Sequence, residues 1–332
     1  MNPFYRIVRS CGLFVAIGIS LSGSCLSMAD EHKKTLLLYH SGLENFDSVY
    51  MMSLLVELEN KLSHYKIKII NTGDLNIAQL KSQLEESESC VLTIGQQALE
   101  TILATRDKTP IFSTLVSRIN LDNLANSYAR LGSRVTGIYE EQSFARQLRL
   151  SRAINPENKN IIVILGRKSR YYLDDYQVTT KKQSLNLIFD ILKHQESPQQ
   201  SLTRLSVNNG FLLILNTKQQ YSDQDLQSLL ITSHSHNIPM IGNKASDSKT
   251  AALASVYTPF RILAKETALG LQQTCTRRQL PTVKYAKYFS VAINHQLAKS
   301  LGYDSIDEKK LTKEVLNLEK KHQSQTENLK YE

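Results

Sequence analysis

The chain contains no tryptophan, and its 332 residues include only 4 cysteines, 13 glycines and 7 prolines. So few cysteines exclude a disulfide-stapled mini-protein or a Cys-rich zinc array, and so little glycine excludes collagen-like and low-complexity repeats. Also missing are a Gly-rich phosphate loop, a His-Glu-x-x-His helix, a Cys-x-x-Cys pair and a Gly-x-Ser-x-Gly elbow. Nucleotide hydrolysis, the common zinc chemistries and serine-hydrolase chemistry therefore have no sequence handle. His234 and His236 lie two apart without a third ligand at useful spacing, which predicts surface histidines. No catalytic residue, metal ligand or cofactor is nominated, and the chain reads as a non-enzyme.

What is present is ordinary globular chemistry, 41% hydrophobic and 21% charged. That is too apolar for a disordered chain, and at roughly 150 residues per domain it suggests two domains. The formal charge is +9, but the basic residues are dispersed as Lys33-Lys34, Lys181-Lys182, Arg277-Arg278, Lys309-Lys310 and Lys320-Lys321. A solvated basic surface fits this spread better than a nucleic-acid face.

Residues 1–29 have the layout of a secretory signal peptide. Arg6 and Arg9 precede the apolar stretch Cys11–Leu21, and Ser27-Met28-Ala29 supplies small residues at the last and third-last positions, so cleavage is expected after Ala29. The apolar stretch is well short of the ~20 residues a spanning helix needs. A lipoprotein signal ending at Cys25 is the alternative, although Ser22-Gly23-Ser24 lacks the expected aliphatic residue and Leu21 sits one place too early. Cleavage leaves Cys90 and Cys275 in an exported chain, in a compartment where disulfides can persist. Cys90 opens an apolar run and Cys275 ends a helical pattern, so buried free thiols are the expectation, with a bond between them left open.

Beyond the leader, strand-like and helical patterns alternate. Thr35–Tyr39 is a short apolar run, and Leu55, Leu58 and Leu62 follow at helical spacing. Lys66–Asn71, Cys90–Ile94 and Thr109–Val116 continue the strands, with helices at 75–86 and 97–106 between them. After Arg134-Val135-Thr136-Gly137-Ile138 the rhythm restarts with Ile161–Leu165, Phe211–Leu215 and Ile238–Ile241 among further helices. Such alternation predicts parallel sheets covered on both faces. The expected organisation is an α/β protein of two Rossmann-like lobes. Lobe 1 spans 30–135 and is completed by parts of 251–303, lobe 2 spans 136–250, and 304–332 is a charged terminal helix or tail, solvated or frayed.

The order of these pieces resembles the ABC transporter substrate-binding family, of the periplasmic-binding-protein type I fold. The likeness rests on "TPIFSTLV", "SRVTGIYEEQSFARQLRLSRAINPENKNIIVILG", "FLLILNT", "NIPMIG", "AALASVYTPFRILAKETALG" and "LPTVKYAKYFSVAINHQLAKSLGY", in the family's order. Three departures stand out. Val116-Ser117-Arg118-Ile119-Asn120 replaces an Asp-Pro-Val-type element, the family's Asp near Thr217 is missing, and Ala251 or Ala252 stands where a glycine is common. The resemblance implies lobes hinged by crossover segments, a small-molecule ligand between them and an inner-membrane ABC permease as partner.

In such a fold, ligands bind beyond the carboxyl ends of the strands, where loops converge and helix N-termini offer free N–H groups. That rule nominates Ser41, Gly42, Gln96 and Thr114 from the first lobe. From the second it nominates Tyr139, Glu140, Arg167, Asn216, Thr217 and Asn243, with Tyr257 as a stacking surface. Uncharged hydrogen-bonding groups joined by Arg167, Glu140 and two tyrosines suit an amino acid or a similar small zwitterion. Delivery to a permease by hinge closure is the expected function. A ligand sensor or regulatory subunit of the same fold is the alternative, and a degenerate lobe pair that binds no small molecule is a third reading.

Overall fold

The computed structural model describes residues 34–42, 48–85, 90–132, 134–166, 169–205, 209–215, 222–276 and 280–328. The expected export signal, its expected cleavage point and Cys25 lie outside the described residues. Lys34–Glu332 forms one compact unit.

The first sheet is built from β1 (Lys34–His40), β2 (Tyr65–Asn71), β3 (Cys90–Ile94), β4 (Ile111–Val116) and β5 (Val135–Tyr139), all parallel, in the order β2-β1-β3-β4-β5. Its connecting helices are α1 (Ser48–Lys61), α2 (Ile77–Glu85), α3 (Gln96–Ala104) and α4 (Arg118–Ala129). Successive strand side chains point to opposite faces. Leu36 and Leu38 thus pack into one core with Tyr50, Leu54 and Leu58 of α1, while Leu37 and Tyr39 pack into another with Leu99 and Leu103 of α3. Burial on both faces is why these strands read as continuous apolar runs.

The second sheet begins after α5 (Phe144–Ile154). It runs through β6 (Asn160–Leu165), α6 (Leu173–Lys182), β7 (Asn186–Ile191), α7 (Pro198–Leu205), β8 (Phe211–Leu213), α8 (Asp223–Ser235), β9 (Met240–Gly242), α9 (Ala245–Thr250) and β10 (Ala254–Tyr257). The chain then returns to the first lobe through α10 (Phe260–Thr276) and comes back for β11 (Ser290–Ile293), α11 (His295–Ser300) and α12 (Glu308–Asn328). The strand order is β11-β10-β9-β8-β6-β7, with β11 antiparallel to β10. Ile161, Val163 and Leu165 of β6 face one core, and Ile162 and Ile164 the other.

Residues 251–303 are thus divided between the lobes. Leu263, Ala264, Ala268 and Leu271 of α10, at helical spacing, lie against α1 in the first lobe's core. The segment behind it adds a parallel bridge from Lys284 to Ile138 of β5. Strands β10 and β11 extend the second sheet instead. With β5 as the edge of the first sheet, that sheet reaches to Tyr139.

Two expectations are corrected. Cys90 and Cys275 form a disulfide, with Cα atoms 5.3 Å apart. The sequence could not show this, because it is the return of α10 to the first lobe that carries Cys275 across 185 residues to the start of β3. The C-terminal segment forms a helix, but its first turns are not solvated. Leu311 and Val315 are 5% and 0% exposed in the second lobe's core, and α12 packs on α5 and β11.

Candidate ligand-binding cleft

The chain crosses between the lobes at three places, and side chains stitch these crossings together. After β5, Ser143 caps α5 by accepting the Arg146 N–H at 3.3 Å, which fixes where the helix begins. Arg146, almost fully buried, donates to the Ala286 carbonyl at 2.5 Å, to the Lys287 carbonyl at 2.8 Å and to Gln142 Oε1 at 2.6 Å. Glu319 of α12 pairs with the same guanidinium at 3.2 Å. Gln142 donates to Thr258 at the second crossing. Glu266 of α10 accepts the Lys287 and Tyr288 N–H groups at the third, at 2.8 and 3.0 Å.

The carboxyl ends of β4, β5, β6, β8 and β9 converge beside these crossings on one cleft. Its wall from the first lobe is Arg118, Ile119 and Tyr285, and Glu141 and Gln142 come from the first crossing. Phe144, Gln147, Ser169, Tyr172, Tyr176, Leu215 and Asn243 complete it from the second lobe. The space left between them is a cavity of ≈ 40 Å³. That is room for about three or four waters, counted at roughly one per 10–15 Å³.

Arg118 is the central cation. Its Nη1 lies 3.0 Å from Asp175 of α6 and 3.2 Å from the Tyr285 hydroxyl, and its guanidinium stacks 4.4 Å from the centre of the Tyr172 ring. Partial burial works against its charge, but Tyr285 and Asp175 outweigh this and the net push is upward, so it stays charged. Asp122, one turn along α4, accepts the Tyr139 hydroxyl at 2.7 Å and the Tyr172 hydroxyl at 3.1 Å. The Tyr139 and Tyr285 rings are 4.8 Å apart, and the Phe144 and Tyr176 rings 4.3 Å. Burial raises the pKa of Tyr139, Tyr172, Tyr176 and Tyr285, so all four remain neutral hydrogen-bonding groups.

Glu141 does what the Ser117 side chain does not. Ser117 precedes α4 without a side-chain cap, and Glu141 accepts the Arg118 backbone N–H at 2.9 Å, placing a carboxyl at the positive end of that helix. Burial nevertheless dominates and lifts the Glu141 pKa to about 7. The Arg118 hydrogen bond opposes the rise and the neighbouring Glu140 adds to it. Asp247 holds the loop after β9, accepting the Asn243 and Lys244 N–H groups at 2.9 and 3.0 Å. Gln147 secures two strand ends through the Ile214 and Ile241 carbonyls at 2.9 and 3.3 Å.

Of the nominated residues, Asn243 lines the cavity, and Tyr139 stands behind it through Asp122 and Tyr285. Glu140 lies at the first crossing, paired with Lys244 at 2.8 Å. Thr114 is elsewhere: it is 0% exposed inside the first lobe, accepting the Tyr50 hydroxyl at 3.2 Å beside Thr267. Gln96 bonds to Glu100 at 2.7 Å and accepts from Asn120, outside the cavity lining. Ser41 and Gly42 follow β1, where the Gly42 N–H is taken by His40 at 3.0 Å. Tyr257 ends β10, paired in register with Ser290. Arg167, Asn216 and Thr217 lie outside the described residues. His234 lies 3.4 Å from Ser300 Oγ, and His236 Nδ1 lies 2.8 Å from the Thr232 carbonyl. Among the described residues no group of three His, Cys, Asp or Glu is placed to hold a metal ion, and no helix is long and apolar enough to cross a membrane.

Two α/β lobes joined by three crossings, with the strand tips of both sheets facing one cleft, define a type I periplasmic binding protein fold. Three solved structures share it. A ligand-free, open substrate-binding protein with adhesive properties from Clostridium difficile is 13% identical with TM-score 0.62, covering 82% of this chain and 96% of its own. A conserved domain protein from Vibrio cholerae is 16% identical with TM-score 0.53, over 84% and 98%. A Streptococcus ABC domain in complex with L-Trp is 15% identical with TM-score 0.53, over 82% and 95%. No curated protein matches the chain. The chain belongs to the ABC transporter substrate-binding protein family, whose profile matches residues 32–312.

Proposed function

We propose that this protein, exported to the periplasm, captures a small zwitterion such as an amino acid between its lobes and delivers it to an inner-membrane ABC permease. The observation that carries this is the composition of the cleft. Both lobes contribute to it, with Arg118 offering a fixed positive charge, Glu141 and Asn243 offering polar partners, and Phe144, Tyr172, Tyr176 and Tyr285 offering ring surfaces. A carboxylate suits the guanidinium, and a flat or apolar body suits the rings. Asn243, Tyr139 and Glu140 belong to this reading as cleft or near-cleft residues. Ligand that touches both lobes stabilises the closed form, and the permease recognises that form. The L-Trp of the Streptococcus domain supports beginning with amino acids.

The test is a thermal-shift screen of the oxidised chain from Asp30 onward against amino acids, nucleosides and sugars. A ligand confined to the folded state raises Tm, and at a hundred times its Kd it adds about 2.7 kcal/mol. An amino acid should give the largest rise, and Arg118→Gln should weaken it roughly tenfold or more, about 1.4 kcal/mol. If no compound in the panel moves Tm, the reading fails.

A further inference from the structure

We infer that the cleft carries its own latch: Asp175 and Tyr172 of the second lobe hold Arg118 and Asp122 of the first, and a ligand must displace them to enter. Each contact crosses from α4 to the region of α6. The Arg118–Asp175 ion pair spans 3.0 Å, the guanidinium lies on the Tyr172 ring at 4.4 Å, and the Tyr172 hydroxyl donates to Asp122 at 3.1 Å. These four side chains form a closed exchange in which each lobe supplies one acid. Arg118 also reaches Asp122 at 3.4 Å within its own helix, so releasing Asp175 leaves it a partner and keeps its position.

The cavity supports the same conclusion. At ≈ 40 Å³ it cannot hold an amino acid, because the volume expected of ligand sites is several times larger. Two of the side chains that line it, Arg118 and Tyr172, are also the two that reach across from one lobe to the other. Arg118 is the group an acidic ligand would seek, and Asp175 supplies a carboxylate in its place. The latch therefore subtracts from ligand affinity in proportion to the time it is closed, and a variant without it binds more tightly. Its members are partly exposed, with Asp175 at 50% and Arg118 at 25%, so the pair is weak enough to exchange.

The inference rests on the reading of this cleft as the ligand site only for its consequence, because the test needs no ligand. Small-angle scattering would compare the oxidised wild-type chain with Asp175→Asn, Tyr172→Phe and the double variant, in the absence of added solute. The expected result is a larger radius of gyration in the double variant than in the wild type. High salt should reproduce part of the change in the wild type and none in Asp175→Asn, since it screens the ion pair alone. Melting curves establish that each variant is folded, and Tyr172→Phe keeps the ring in place should Asp175→Asn perturb α6. Identical scattering from folded wild type and double variant would overturn the latch. A failed ligand screen alongside the expected scattering would overturn the proposed function and leave the latch standing.

Discussion

Glu141 is the residue whose environment makes the clearest demand. Its carboxyl has a pKa of about 7 in the folded chain against an ordinary 4.5, so folding favours the protonated form. Below pH 4.5 the group is protonated in both states and contributes nothing to the balance. As pH rises from 4.5 to about 7 the unfolded chain releases the proton first, so stability falls across that window and levels off above it. Glu141→Gln, which keeps an oxygen for the Arg118 N–H, should flatten this slope and raise Tm at pH 8 by roughly 2–4 °C. Melting curves of both proteins at pH 5 and pH 8 check it, and parallel slopes would show that Glu141 is not the titrating group. The cleft was only partly legible at this scale. Asn243, which lines the cavity, is readable as a strand-tip residue because it directly follows an apolar strand. Arg118 was in view as a departure from a family motif, but nothing in Val116-Ser117-Arg118-Ile119-Asn120 shows that its side chain crosses to the other lobe. Thr114 also follows the strand rule, yet the alternation within β4 turns it toward α10, whose return to the first lobe is a long-range event.

At the scale of elements, the seam between β4 and β5 is the tightest joint. The register shifts between Ser113 and Val116, and Leu115 adopts a left-handed conformation with φ of 56°. Gly137 faces that irregularity: a Cβ there would lie 2.1 Å from the Ser113 carbonyl oxygen, a backbone atom with no freedom to move aside. Gly137→Ala should therefore destabilise the chain by about 2 kcal/mol or more, measured by urea unfolding, and a neutral result would show that the seam can relax. The glycine was visible in the sequence as part of Val135-Thr136-Gly137-Ile138, though its reason was not, because the obstruction comes from the neighbouring strand. Strands and helices were otherwise legible in their order, since two-sided burial writes an unbroken apolar run. In α12, the Lys and Glu around Leu311 and Val315 read as a solvated helix, because the surface that buries those two residues is built from distant elements of the second lobe.

At the scale of the whole molecule, local patterns could suggest two sheets but could not sort residues 251–303 between them. That sorting depends on three crossings whose fastening groups, Arg146 and Glu266, look like ordinary charged residues of helices. The Cys90–Cys275 bond belongs to this scale too. Replacing both cysteines with serine should lower stability by about 2–4 kcal/mol, read as a drop in Tm against the oxidised wild type. An unchanged Tm would mean that the bond adds nothing to a lobe already held by α10. Between its two sulfurs the bond encloses α5 through β10, most of the second sheet. In covalent terms that sheet is a long excursion leaving and rejoining an anchored ring. Were it to melt, the first lobe would keep both ends of the excursion close together and ready for re-formation. A chain made under reducing conditions would lose that tether and have to find the same closure by diffusion.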